Sequence, residues 1–254
     1  MSQALQRVMV RMLYDPGLVS RVYDGAPLPE LSDAERGMLV AVDRRAWGTD
    51  PMRRMRTLTA LLAEFPASAA LAGPGLDGFF GSTEFHQSIQ ERTHLALAFG
   101  AWLEARVGPV GTLERGAAEA RRDPRERVHA PGRVARAPGV RVAWTPVGAL
   151  ARLEAVRARL GRDPVAALAR GRLRLDGLPA LGATREVVLI EADAAGQVQL
   201  STCTEALAGL LIYAATPRTV DELHGEIRRL GADPGEEAEI LSSVRADGLL
   251  VPVK

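Results

Sequence analysis

Arg185-Glu-Val-Val-Leu-Ile-Glu191, Asp193-Ala-Ala-Gly196 and Gln197-Val-Gln-Leu200 follow one another near the C-terminus, and their reading decides the fold. The first run is apolar enough for a buried strand, the second is made of turn residues, and the third alternates. Together they predict a β-hairpin. Three short helical patterns follow it. Leu207, Leu210, Leu211 and Ala214 mark the first. Val220, Leu223, Ile227 and Leu230 mark the second, at the steps of three and four that define one helix face. Thr219 with Glu222 has capping-box spacing at its start, and Gly231 holds the place of a C′ glycine. The third covers about 234–246, with Ile240, Leu241 and Val244 facing inward. Asp247-Gly248 then turns the chain into a closing strand, Leu249-Leu-Val251. This order predicts a small winged-helix-like module, with Leu173-x-Leu175 as a candidate first strand.

Outward from the hairpin, Gly139-Val-Arg-Val-Ala-Trp144 alternates like a strand. Thr145-Pro146 opens a helix bearing Leu150, Leu153, Val156 and Leu160, and Asp163-Pro164 and Gly171 bracket another. From Gly108 to Gly139 the chain repeats Arg, Ala, Pro and Gly with little periodicity. Residues 112–122 could form a short polar helix, and the remainder reads as linker. The first ~110 residues read as helical. Ser32 with Glu35 is a second capping box, opening a helix with Met38, Leu39 and Val42 inward. Thr49-Asp50-Pro51 begins the next, whose stripe is Met52, Met55, Leu58, Thr59 and Leu62. Ser82 caps a single long helix from about Thr83 to Val107. The predicted class is α+β. It comprises an all-helical domain (1–111), a basic linker (112–138) and an α+β domain (139–254) whose winged-helix-like module covers about 172–254.

Charge is distributed unevenly along a chain of net charge +1. Residues 1–111 carry 11 basic and 12 acidic side chains, and residues 112–174 carry 15 arginines against 6 acids. Residues 175–254 carry 6 basic against 13 acidic groups, net −7. A winged-helix-like module of that sign repels phosphates, which weighs against a DNA-binding regulator, the alternative that the pattern allows. No apolar run reaches the ~18–20 residues needed to cross a bilayer. One cysteine, Cys203, excludes an intrachain disulfide, and a reducing cytoplasm is the expected location.

Motifs of chemistry are sparse. His86 and His94 lie roughly 80° apart on a helix, unlike the i, i+4 pair of a zinc helix. Cys203 is placed at the start of the first C-terminal helix, without a neighbouring His, and reads as a packed thiol. Gly73-Pro-Gly75 and the other glycines form no phosphate loop, and Ser82, Ser201 and Thr202 lie in no nucleophile elbow. Acidic pairs such as Glu236-Glu237 fall in first helical turns, where the dipole favours them.

Two stretches resemble known families. Arg185-x-Val-Val-Leu-Ile190, the glycine turn, Val198-x-Leu200, Thr219-Val-Asp-Glu-Leu223 and Gly248-Leu-Leu250 resemble the RiPP recognition element. That is the peptide-chaperone fold of the pyrroloquinoline quinone pathway, acting on ribosomally made, post-translationally modified peptides. Arg44, Trp47, Asp50-Pro51, Leu62, Glu64-Phe65-Pro66, Phe79-Phe80, Ser82 and Phe85-His86 resemble a second family. It comprises the partner proteins of multinuclear non-haem iron-dependent oxidative enzymes, which modify precursor peptides.

The resemblances imply a non-catalytic subunit in RiPP biosynthesis, holding no cofactor itself, with iron in the partner enzyme. It would bind the leader of a precursor peptide and present it to that enzyme as a heterodimer. On this reading the leader adds as a strand near Gln197, Val198 and Leu200, with pockets near Leu241, Val244 and Arg245. Trp47, Arg53, Phe79, Phe80 and His86 are the expected partner-interface residues, although Phe79 and Phe80 also suit a core. No membrane contact is expected.

Overall fold

A computed structural model of the chain describes residues 2–48, 52–123, 129–171 and 173–253. It is α+β and divides into two compact units, Met1–Gly111 with Arg157–Leu175 and Thr112–Val156 with Asp176–Lys254.

The first unit is helical. It holds α1 (Gln3–Tyr14), α2 (Pro16–Tyr23), α3 (Asp33–Ala41), α4 (Met52–Glu64), α5 (Pro66–Ala72), α6 (Thr83–Glu91) and α7 (Leu95–Val107), with 3-10 turns at Arg44–Gly48 and Leu76–Gly81. Side chains of Ser2, Ser32 and Ser82 cap α1, α3 and α6, and the Ser32–Glu35 box closes in both directions. One cluster of its core joins Leu5, Val8 and Met12 to Leu18, Val19, Val22 and Leu39. Another is aromatic: Phe79, Phe85 and Phe99 are fully buried, and Phe79 meets Phe85 and Phe99 edge-on at 5.5 and 5.0 Å. Such pairs prefer this geometry because the ring edge is positive and its face negative.

Three expectations change here. The long helix from Thr83 is broken into α6 and α7, because Arg92 adopts a left-handed conformation (φ 56°) between them. Of Met38, Leu39 and Val42, only Leu39 is buried. None of Met52, Met55, Leu58, Thr59 and Leu62 is buried; Leu61 takes that role instead. Periodicity identifies a stripe but not the neighbour it turns toward. The Thr49-Asp50-Pro51 start lies outside the described residues.

Helix α8 (Pro109–Arg122) lies mainly in the second unit, α9 (Ala149–Leu160) ends in the first, and α10 (Pro164–Ala169) belongs to the first. The second unit also contains β1 (Val134–Arg136), β2 (Val140–Pro146), β3 (Arg185–Ala192), β4 (Val198–Cys203), α11 (Glu205–Tyr213), α12 (Val220–Arg229), α13 (Glu237–Ala246) and β5 (Leu250–Pro252). A three-stranded antiparallel sheet has the order β2-β3-β4, and β1 pairs with β5. The hairpin turn is held by Asp193, whose Oδ1 accepts from the amides of Ala195 and Gln197. Thr204 caps α11, the Thr219–Glu222 box closes on α12, and Gly231 follows it at φ 102°.

The hairpin's third strand is β2, and Leu173–Leu175 forms no strand. The closing strand pairs with β1, so the expected linker 112–138 contains most of α8 and a strand of the module; residues 124–128 lie outside the described residues. These pairings join segments far apart in sequence, which local pattern does not encode. Val187, Val188, Leu189 and Ile190 are all buried, so β3 is covered on both faces. Leu189 packs into the core of α11, α12 and α13. Ile190, one residue on, faces α8, whose Gly116 stands so close that an added Cβ would lie 2.5 Å from the Ile190 Cδ1. Buried Arg141 on β2 donates to the Glu119 carbonyl and to Asp123 (2.9 Å), holding the C-terminal turn of α8.

Candidate peptide groove

Strand β4 is an edge: among the described residues nothing pairs with its outer side. Antiparallel partners alternate between pairs that exchange hydrogen bonds and pairs that do not. Asp193 donates to the Gln197 carbonyl (2.9 Å), which places the alternation. Gln199, Ser201 and Cys203 then bond to β3, while Val198, Leu200 and Thr202 turn their N–H and C=O groups outward. Gln197, expected in the groove, has its backbone taken up by the turn at Asp193. The pleat also divides the side chains. Gln199, Ser201 and Cys203 stand on the face of α11–α13, whereas Val198 and Leu200 stand on the opposite face. Val198 and Leu200 therefore offer main-chain groups to the edge and no side chain to the helices.

Beyond the end of β4, on that helix face, opens a cleft of ≈ 340 Å³. Thr204, Ala206, Leu207 and Leu210 line it from α11, Ile227, Leu230 and Ala232 from the end of α12, and Ile240 and Val244 from α13. Of the helix residues expected in a pocket, Val244 lines it; Leu241 is packed in the core, and Arg245 is exposed and does not line it. Leu207, Leu210, Ile227, Leu230 and Ile240 read as inward residues of three helices. Nothing in their spacing signals that the helices part between them.

Acidic residues neighbour the cleft in sequence: Glu205 beside Ala206, Asp233 beside Ala232, Glu239 beside Ile240, all exposed. Glu226 is held below the usual carboxylate range by its hydrogen bonds from Arg229. Glu237 is lowered by its own and the Gly235 amide, and pairs with Arg228 at 3.3 Å. Cys203 ends β4 instead of opening a helix, and burial pushes its thiol up, away from the reactive thiolate.

The expected partner-interface residues are scattered in role. Phe79 and Phe80 have no exposed surface and belong to the aromatic core, so they cannot touch a partner. Trp47 is half-buried against the α1–α3 core and donates from Nε1 to the Tyr23 hydroxyl (3.0 Å), which itself donates to the Val42 carbonyl. Arg53 is half-buried, and His86 lies 3.9 Å from Asp15. The large apolar side chains exposed among the described residues of this unit are instead Val10, Met38, Val40, Val42, Met52 and Met55, with Met38, Val40, Met52 and Met55 the most exposed. Among the described residues no group of three or more His, Cys, Asp or Glu is placed to hold a metal ion, and no helix is long and apolar enough to cross a membrane. Compared with protein-family models and with curated proteins, the chain matches none.

Proposed function

We propose that the chain is a non-catalytic partner subunit that binds the leader of a ribosomal precursor peptide and presents it to an iron-dependent oxidative enzyme. The observation that carries this reading is the free edge of β4 standing beside an apolar cleft on the same module. An extended peptide added to that edge bonds to the outward groups of Val198, Leu200 and Thr202. Every second side chain then points to the face of α11–α13, where the cleft accepts an apolar one. Glu205, Asp233 and Glu239 favour basic residues near that anchor. The iron belongs to the partner, and this chain supplies affinity and register. The helical unit docks the enzyme, with Met38, Val40, Met52 and Met55 in place of the buried phenylalanines.

Isothermal titration of the full chain with a synthetic leader encoded beside its gene tests the reading. The expected affinity is micromolar, about −8 kcal/mol. Leu200→Pro deletes one outward amide without touching the β3–β4 ladder, and Ala206→Glu places a charge at the exposed rim of the cleft. Each should weaken binding about tenfold, roughly 1.4 kcal/mol. Binding confined to the peptide's modified core, or unchanged in both variants, overturns the groove. A salt-dependent, sequence-selective gel shift with duplex DNA would favour a regulator instead.

A further inference from the structure

The other edge of the sheet has a different character. Among the described residues β2 pairs with β3 alone, and the bonds Ala192 N–H to Gly139 O and Val147 N–H to Thr184 O (both 2.9 Å) place its alternation. Arg141, Ala143 and Thr145 bond inward to β3, and Val140, Val142, Trp144 and Pro146 turn their main-chain groups outward. Two of these four positions cannot complete a two-bond pair. Val140 donates to the Ala137 carbonyl (3.1 Å) and its own carbonyl accepts from Arg141 Nη1 (2.7 Å), while Pro146 has a carbonyl but no N–H. The positions that offer both N–H and C=O are thus Val142 and Trp144.

The geometry points to a second copy of this chain as what covers that edge, through β2 pairing antiparallel with itself about a twofold axis at Ala143. Val142 then faces Trp144 of the second copy, and Trp144 faces its Val142. These are hydrogen-bonded positions on both strands, so four main-chain bonds form, using the N–H and C=O of both residues on each copy. The ladder stops at Val140 and Pro146, where the strand has already ended it. Side chains agree with this register. Trp144, 40% exposed at an otherwise unguarded edge, lies against Val142 of the second copy, an aromatic on a β-branched residue. Val147 and Leu181 are also exposed, and Gly182 donates to the Val147 carbonyl (2.8 Å), which brings Leu181 beside it. Arg141, the one ionisable residue of β2, falls opposite Thr145 of the second copy, so no like charges meet. The strand carries no lysine and no bulge; its proline, Pro146, stands at its end beyond the residues that pair, and Arg141 turns inward to α8. An isologous contact of this kind closes on itself as a dimer.

Light scattering with size-exclusion of the full chain over a range of concentrations tests the proposal. The expected mass is twice 27.2 kDa. Val142→Pro removes an outward amide and leaves the β2–β3 ladder whole; Trp144→Lys introduces an edge charge and leaves every main-chain group in place. Each should raise the dimer dissociation constant by about tenfold or more, with circular dichroism unchanged. Hydrogen exchange supplies a residue-level readout: the Val142 and Trp144 amides are protected in the dimer and exchange on dilution, while the Val140 amide does not change. A chain that stays at 27.2 kDa to its solubility limit overturns the proposal. So does a dimer equally tight in both variants, or one in which those two amides exchange freely. Peptide binding at β4 is read separately by calorimetry, and a chain that dimerises without binding leader, or the reverse, separates this inference from the proposed function.

Discussion

His86 shows how a single side chain changes meaning once it is packed. By sequence it stands among residues that suggest a partner surface. In the fold it is half-buried on α6, its Nε2 has no hydrogen-bond partner among the described residues, and Asp15 is 3.9 Å away. Burial, and next the nearby Arg11, lower its pKa from the ordinary 6.5, against the opposing pull of Asp15. Below that ordinary value the unfolded chain takes up a proton that the folded chain resists. This stability is therefore complete above about pH 6.5 and is lost as the pH falls toward the lowered pKa. Thermal unfolding should show a lower Tm at about pH 5.5 than at about pH 7.5, and His86→Gln should flatten the difference. A variant profile as steep as the wild type would assign the effect to other groups. Phe79 and Phe80 make the companion point. Adjacent phenylalanines suit a core and an interface equally, and their complete burial decides between the two.

At the scale of elements, the contact between α8 and β3 is a close one. Gly116 permits it, since any Cβ would press on the δ-methyl of fully buried Ile190. Gly116→Val should destabilise by about 1–3 kcal/mol through overpacking, read as a lower denaturant midpoint with unchanged slope. Adding Ile190→Val removes the opposed methyl and should recover part of the loss, so the pair is non-additive. Strict additivity would place the strain elsewhere. The short helices α11, α12 and α13 were legible because their stripes are local, and for α12 the cap is local too: Thr219 reaches Glu222 three residues away, and the spacing alone shows it. The rotation of α3 and α4 was not legible, since Met38 and Leu39 are equally apolar and only the neighbouring helices choose between them.

For the molecule as a whole, the second unit is continuous in space and discontinuous in sequence. A fragment of residues 172–254 lacks β1 and β2, the partners of β5 and β3. It leaves β3 with an unpaired edge, removes Val134, Ala137 and Val140 from the core, and should give a poorly dispersed amide spectrum. A cooperative unfolding transition from that fragment would refute the dependence. The sequence by itself determined the class, the hairpin around Gly196, both capping boxes and the order of the last three helices. Each of those depends on residues within one turn or one hairpin of each other. Only the tertiary structure decided that β2 completes the sheet, that β1 receives the closing strand, and that the outward groups of β4 and β2 remain at free edges. It also decided that three helices part to leave a cleft lined by Leu207, Ile227 and Val244. Pairing and parting join segments distant along the chain, and the same apolar residues satisfy a filled core or an open groove; which one forms depends on how the elements meet.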